Sequence, residues 1–242
     1  MITNLDNELA IERQKLNALL EITNSVNKNY KISDLLDQFE NVMRYYIGVS
    51  KLVFINNRDD WKCILSFGID QDCTGFNKTK MLSVTQTTLS EDTNIEKFKE
   101  FDLIMPVFHK GKPLSYLLIG GIKEDDMTSF IWFIQTIANV VSVAIESKTL
   151  AKELLKKKLK EKDMKLAVLM QKLLLPNNLP SNQYIDISAT YLAKEMVSGD
   201  YYDFIPINKN EYVFCIADVS GKGMSAAMLM SNFQATLRAN VK

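Results

Sequence analysis

Two aspartates late in the chain, Asp200 and Asp218, have the type and spacing to share a divalent cation. Each sits at the end of a β-rich run. The first run is Asp200 to Ile207 and the second is Tyr212 to Val219, with Asn208-Lys209-Asn210-Glu211 between them as a turn by composition. A hairpin centred on Lys209 sets Asp200 opposite Asp218, at one end of the ribbon. Like charges facing each other across a ladder are destabilising, so such a pair calls for a proton or a cation. Mg²⁺ and Mn²⁺ are hard cations that take oxygen ligands. The following Val219-Ser220-Gly221-Lys222-Gly223 has two glycines that permit a tight turn, where a backbone carbonyl can add another oxygen. Spacing alone leaves a blander reading open, with Asp218 as a strand-ending turn residue and Asp200 as a hairpin-edge charge. A nucleotide-binding loop does not fit Gly221-Lys222-Gly223. A P-loop needs Gly five residues before its Gly-Lys pair and Ser or Thr after the Lys, and here Ile216 and Gly223 stand there.

Several elements must hold this pair in place. Tyr184 to Tyr191 is a further strand candidate, and Met224 to Ala239, rich in Ala and Met, reads as a helix. The apolar run of Tyr212 to Val219 predicts a buried strand. If nothing later in the domain covers it, it is expected to be covered by a second copy, by the first domain or by a local rearrangement.

The chain has 242 residues, enough for two ordinary domains. Hydrophobic residues make up 47% and charged residues 24%, so a core is affordable and disorder by composition is excluded. The 29 basic and 29 acidic residues balance, which gives no global attraction to nucleic acid or to an anionic membrane. Cys63, Cys73 and Cys215 are odd in number and lack metal-ligand spacing, which predicts free thiols in a reducing cytoplasm. Met1-Ile2-Thr3-Asn4 leads into a charged helical stretch, so no signal peptide is expected. Phe130 to Ile145, the longest apolar stretch, is interrupted by Gln135, Thr136, Asn139 and Ser142 and reads as too short and too polar to span a bilayer.

The front of the chain reads as helices around antiparallel strands. Leu5, Leu9, Leu16, Leu19, Leu20 and Ile22 favour one helical face over Leu5 to Val26. Ser33 is placed to cap a second helix, Asp34 to Tyr46. Lys51 to Asn56 and Trp61 to Phe67 form a strand pair around Asn57-Arg58-Asp59-Asp60. Asp102 to Phe108 and Leu114 to Ile122 form another, with His109, the only histidine, in the turn between them as an exposed polar residue. Thr128 to Glu146 closes this part as a helix. The fold class is therefore α+β, with helices segregated on one face of an antiparallel sheet.

Ser147 to Leu175 reads as one more helix, without Gly or Pro before Pro176. Leu159, Leu166 and Leu173 are seven apart, Leu155 and Leu169 fall on the alternate heptad positions, and Lys162 interrupts the seam. The row fits either a parallel dimer helix or a single amphipathic helix packed on its own domain. The lysines of Lys148 to Lys165 lack interleaved aromatics and read as a solvated face.

Two resemblances follow from particular phrases. Leu19-Leu20-Glu21-Ile22, Ile32-Ser33-Asp34-Leu35-Leu36 and Leu103-Ile104-Met105-Pro106-Val107, with Gly120-Gly121 after the next strand, resemble a GAF sensor domain. No bilin-attaching cysteine or cyclic-nucleotide signature is present, so the resemblance implies only a possible small-molecule ligand. Leu174-Leu175-Pro176 with Leu179-Pro180 opens a second set of phrases. It continues with Val197-Ser198-Gly199-Asp200-Tyr201-Tyr202-Asp203-Phe204 and then Ile216-Ala217-Asp218-Val219-Ser220-Gly221-Lys222-Gly223 with Ala226-Ala227. In order and spacing these resemble the SpoIIE/RsbU branch of the PPM serine/threonine phosphatases. That resemblance implies a β-sandwich phosphatase with a two-metal Mn²⁺ or Mg²⁺ centre. Asp218 would bridge the metals, and Asp200 and the Val219 backbone carbonyl would bind one of them. A metal-activated water would attack phosphorus in line. Ser198 stands where relatives usually have Gly. Relatives also supply further metal-binding aspartates beyond the helix after Gly223, so the site in this chain is expected to be incomplete and the chain alone inactive.

The expected organisation is an N-terminal amphipathic helix at 1–28, a GAF-like sensor at 29–147, a helical linker at 148–178 and the first part of a PPM-type domain at 179–242. The expected function is sensor-regulated dephosphorylation of phosphoserine or phosphothreonine on a protein. By family analogy the substrate is an anti-sigma-factor antagonist. A homodimer through the linker is expected, with no nucleic acid and no membrane as partner. The alternative is a non-catalytic sensory and dimerisation module, and a plain structural adaptor is a third reading.

Overall fold

The structure, a computed structural model, describes residues 2–58, 61–69, 78–93, 98–122, 124–192 and 196–241. Cys73 and the turn residues Asp59 and Asp60 lie outside the described residues. The chain divides into two compact units, Met1–Ala151 and Lys152–Lys242.

In the first unit, α1 (Ile2–Asn27) and α2 (Ile32–Asn41) lead into a π-helical turn, Val42–Ile47. Helix α2 starts two residues before the expected Asp34. Its N-cap is Lys31, not Ser33, and the Lys31 N–H donates to the Asp34 carboxylate at 3.3 Å. The Asp34 carboxylate in the first turn thus satisfies the N-cap N–H, the reciprocal half of a capping box. Gly48, at φ 80°, ends the π turn, and the Val49 N–H donates back to the Met43 carbonyl at 2.9 Å.

Five strands follow: β1 (Lys51–Asn56), β2 (Lys62–Phe67), β3 (Thr88–Leu89), β4 (Leu103–His109) and β5 (Lys112–Gly120). They form one sheet in the order β2-β1-β5-β4-β3, with every pair antiparallel. The short helix α3 (Lys78–Leu82) and strand β3 had no clear signal in the sequence. His109 closes β4, paired with Lys112, so the expected five-residue turn shrinks to Lys110-Gly111. Both turn residues have positive φ, 52° and 75°, the geometry a two-residue hairpin demands. The ladder slips between Val107 and Phe108, where Pro113, with no N–H to donate, faces Phe108.

Both faces of this sheet are covered. Leu52, Phe54, Leu117 and Ile119 pack with Phe39, Ile134, Ile137 and Val141 of the helices. Val53, Ile55, Tyr116 and Leu118 pack on the other side with Trp61, Met81, Phe98 and Phe101. Leu52 to Ile55 are therefore all fully buried, which explains their unbroken apolar run.

The last helix of this unit continues past its boundary. Glu124–Leu174 is a single 51-residue helix, α4, rather than two. Its most apolar window has a mean hydropathy of 1.5, long and apolar enough by composition to cross a membrane, contrary to the expectation from Phe130 to Ile145 alone. Half of that window is buried, and Ile134, Ile137, Ala138 and Val141 cover the sheet. Core packing accounts for the apolarity.

The second unit contains the end of α4, a hairpin of β6 (Asp200–Pro206) and β7 (Tyr212–Asp218), and α5 (Gly223–Asn240). Tyr184 to Tyr191 is not a strand. It contributes only an isolated bridge, Ser181 to Asp186, because β6 and β7 pair with each other and no third strand is described beside them.

Candidate functional site

The β6–β7 register is continuous and sets Asp200 directly opposite Asp218. Alternation then assigns the two faces. Tyr201 and Asp203, at 1% and 2% exposure, point under α5. The Tyr201 ring meets Phe233 edge-on at 6.0 Å, and Arg238 reaches Asp203. The opposite face carries Asp200 and Asp218 together with Tyr202, Phe204, Phe214 and Ile216. It is open among the described residues: Phe214 is 68% and Ile216 78% exposed. Within this unit the apolar run of β7 therefore does not make a buried strand. Both carboxylates are exposed.

The turn after Asp218 supplies the third oxygen. The Val219 N–H donates to the Gly199 carbonyl at 3.3 Å, which holds the turn against the start of β6. A Cβ on Gly199 would come within 2.5 Å of the Val219 carbonyl oxygen, so only glycine admits that oxygen beside Asp200. Helix α5 starts at Gly223, five residues after Asp218. Two carboxylates and one carbonyl, all oxygen, suit a hard divalent cation. They fill about half of the six positions that Mg²⁺ or Mn²⁺ requires. No group of three or more His, Cys, Asp or Glu side chains is present among the described residues.

Ser198 and Gln171 organise the approach to Asp200. The Ser198 hydroxyl donates to Asp200 Oδ2 at 2.9 Å and accepts the Asp200 N–H at 3.2 Å. The departure from glycine at this position thus gives Asp200 a hydrogen-bond partner. The Gln171 side chain, on α4 and 6% exposed, accepts the Ser198 N–H at 3.1 Å and donates to the Ser198 carbonyl.

Beneath the pair lies a buried network that sequence reasoning missed. Arg238 donates from Nε to Asp203 Oδ2 at 2.7 Å and from its terminal nitrogen to Oδ1 at 2.9 Å. The Tyr201 hydroxyl and the Phe204 N–H also donate to this carboxylate. Burial alone would raise the Asp203 pKa. The hydrogen bonds from Arg238, Tyr201 and Phe204, with the Arg238 charge, outweigh burial and leave it below its ordinary value. Burial, followed by its bond to Asp203, drives the Tyr201 pKa well up. A signal for this network did exist. Asp203 shares a strand face with buried Tyr201, and Arg238 is the only arginine after residue 151.

The sequence-predicted residues Asp200, Asp218 and Val219 are thus brought together. Cys63 and Cys215 are partly buried, and neither joins a metal-binding group among the described residues.

No protein-family model matches the chain. Part of it is similar to RsbU. Over 69 residues it is 38% identical to the phosphoserine phosphatase RsbU of Bacillus subtilis, a stretch covering 28% of this chain and 20% of that protein. It is also 38% identical over 69 residues to the protein IcfG of Synechocystis sp., covering 11% of it. The matched stretch therefore spans far less than two thirds of either relative. Among solved structures, the GAF domain of a putative sensor histidine kinase from Pseudomonas syringae pv. tomato is 10% identical. That likeness covers 63% of this chain and 99% of that one, with a TM-score of 0.48. A GAF domain of the A. aeolicus protein nlh2 is 14% identical and covers 57% of this chain and 99% of that one, with a TM-score of 0.44. The antiparallel sheet with flanking helices expected from the sequence is present in the first unit.

Proposed function

We propose that this chain is part of a sensor-regulated, metal-dependent protein phosphatase acting on phosphoserine or phosphothreonine. One observation carries the reading: Asp200 faces Asp218 across the ladder while the Val219 carbonyl packs against Gly199. The local likeness to RsbU supports the reaction class. Asp200, Asp218 and the Val219 carbonyl would hold Mn²⁺ or Mg²⁺, and the bound cation would supply an activated water and charge stabilisation for phosphoryl transfer. The chain's own contribution is to place three oxygens at one end of a hairpin. The substrate would be a phosphorylated protein such as an anti-sigma-factor antagonist, and the location the cytoplasm. The GAF-like unit would sense a small molecule and α4 would pass the signal on. The test is Mn²⁺-dependent release of phosphate from a phosphoserine protein by the protein that carries this stretch. Asp218→Asn should abolish turnover, and undiminished turnover in that variant sinks the reading.

A second reading, a dimerisation module, draws on the exposed leucines of α4. Leu155, Leu159, Leu166, Leu169 and Leu173 are 54–76% exposed and keep heptad spacing. Sedimentation should show a dimer at micromolar concentration that Leu166→Lys converts to monomer. A monomeric wild type removes this reading.

A further inference from the structure

Asn56 Nδ2, Ser115 Oγ and Ser142 Oγ are buried in the first unit without a hydrogen-bond partner among the described residues. None of these three residues is more than 4% exposed. Asn56 and Ser115 face each other across the β1–β5 ladder. Strand alternation places them with Phe54 and Leu117 on the face that α1, α2 and α4 cover. Ser142 lies on α4, whose Ala138, Val141 and Ile145 pack on that same face. It stands one turn before Glu146, and Asn56 stands two residues before Arg58. Arg58 donates from a terminal nitrogen to Glu146 Oε1 at 2.8 Å. This ion pair clamps the turn after β1 to α4, so the three orphaned groups gather just behind it. In front of it opens a cleft of about 390 Å³, lined in part by Arg58, His109, Lys110, Lys112 and Glu146. Glu146 is the one acidic side chain among the described residues that line it.

The chemistry of this set is that of a cradle for an oxyanion. Asn56 Oδ1 already accepts the Arg58 N–H at 2.9 Å, so the unused end of the amide is its N–H₂ donor. Both serine hydroxyls can donate as well. Burying such groups without partners is unfavourable, and a core that needed only closure would carry apolar side chains there. An anion, in turn, tolerates burial only when it is paired and hydrogen-bonded. We propose that Asn56, Ser115, Ser142 and Arg58 form a binding site for a small carboxylate. Arg58 exchanges Glu146 for the carboxylate of the ligand, and the amide and the two hydroxyls donate to its oxygens. The present partner of Arg58 is itself a carboxylate, so the incoming group replaces like with like. The gap between β5 and α4 keeps the three donors from solvent, which favours a flat, singly charged head. His109, Lys110 and Lys112 at the rim favour entry of an anion. The proposal rests on the small-molecule reading of the first unit and does not involve the Asp200–Asp218 pair.

The experiment is saturation-transfer NMR of the full 242-residue chain with propionate, beside thermal melting of the chain without it. Propionate should bind, and its uncharged isostere propionamide should bind at least about tenfold more weakly. Ser115→Ala and Ser142→Ala should each weaken propionate about tenfold. Both should leave the melting temperature of the free chain unchanged or higher, because each removes an unpaired buried hydroxyl. A lower melting temperature in either variant means that the hydroxyl was already paired, as a bridging water or a purely structural role requires. Wild-type propionate affinity in either variant means that the ligand lies elsewhere. Either result overturns the proposal. So does equal binding of propionamide, tighter binding of inorganic phosphate, or no binding of propionate to the wild type. The small-molecule reading of the first unit outlives all of these, and it falls only if a broad set of charged and neutral metabolites leaves the melting of that unit unchanged.

Discussion

The two sheets of this molecule are built from similar residues and treated in opposite ways. The five-stranded sheet has α1, α2 and α4 on one face and Trp61, Phe98, Phe101 and Met81 of the short helix α3 on the other. Helices are thus not confined to one face as expected, and isoleucines and leucines are buried on both faces. The β6–β7 hairpin has α5 on one face only, and its other face shows Phe214 and Ile216 to solvent. The difference separates a sheet that closes a core from one that leaves a face accessible. A sheet covered on both sides has no room for paired carboxylates, whereas an open face can carry Asp200 and Asp218 without taking charge out of water.

The sharpest way to break this comparison is to make the same change in both sheets. Ile119, fully buried, faces Leu52 and Leu103, and Ile119→Ala should destabilise the first unit by about 2–5 kcal/mol in denaturant unfolding. A smaller loss is expected beneath the hairpin. Arg238→Ala strips charged hydrogen bonds from buried Asp203 and should cost the second unit about 2 kcal/mol by thermal melting, a figure kept low because Arg238 is half exposed.

Acid provides a third test. The folded Asp203 pKa lies below its ordinary value of 3.8, so the unfolded chain binds its proton first as pH falls. This contribution is complete at neutral pH. It declines as pH drops below that ordinary value and is gone once pH passes the lowered folded value. Melting of the second unit followed against pH should therefore show a downward slope in that acid window that flattens in Asp203→Asn. The smallest effect belongs to the open face, where Ile216→Ala should shift stability by no more than about 0.5 kcal/mol in the same assay. A large loss there would mean that the face is covered in solution.

The hairpin register was legible because the turn is centred on Lys209 and both flanking runs are β-rich. Burial of those runs was not legible. An apolar stretch such as Tyr212 to Val219 states a preference, and only a covering layer turns that preference into burial. Tyr184 to Tyr191 fails as a strand for the same reason, since a strand needs a partner edge as well as β-forming residues. In the first unit the paired strands 51–56 with 62–67 and 103–109 with 112–120 could be read from turn residues between apolar runs. Strand β3, two residues long, carries too little pattern to be seen. Of the candidate site, the facing carboxylates were readable from spacing. Gln171 was not, because a heptad reading treats it as one more polar residue between leucines, and its partner is a backbone 27 residues away.

Helix α5 is tied to the hairpin twice, by the short connection from Asp218 to Gly223 and by Arg238 gripping Asp203 near its far end. That arrangement proofreads strand alignment while the unit folds. If β6 slid by one residue against β7, its alternate side chains would exchange sides: Tyr202 would turn beneath the helix, and the Asp203 charge would swing away from its guanidinium. The misaligned hairpin would forfeit the ionic anchor and gain nothing in return, so the chain has a built-in reason to reject it.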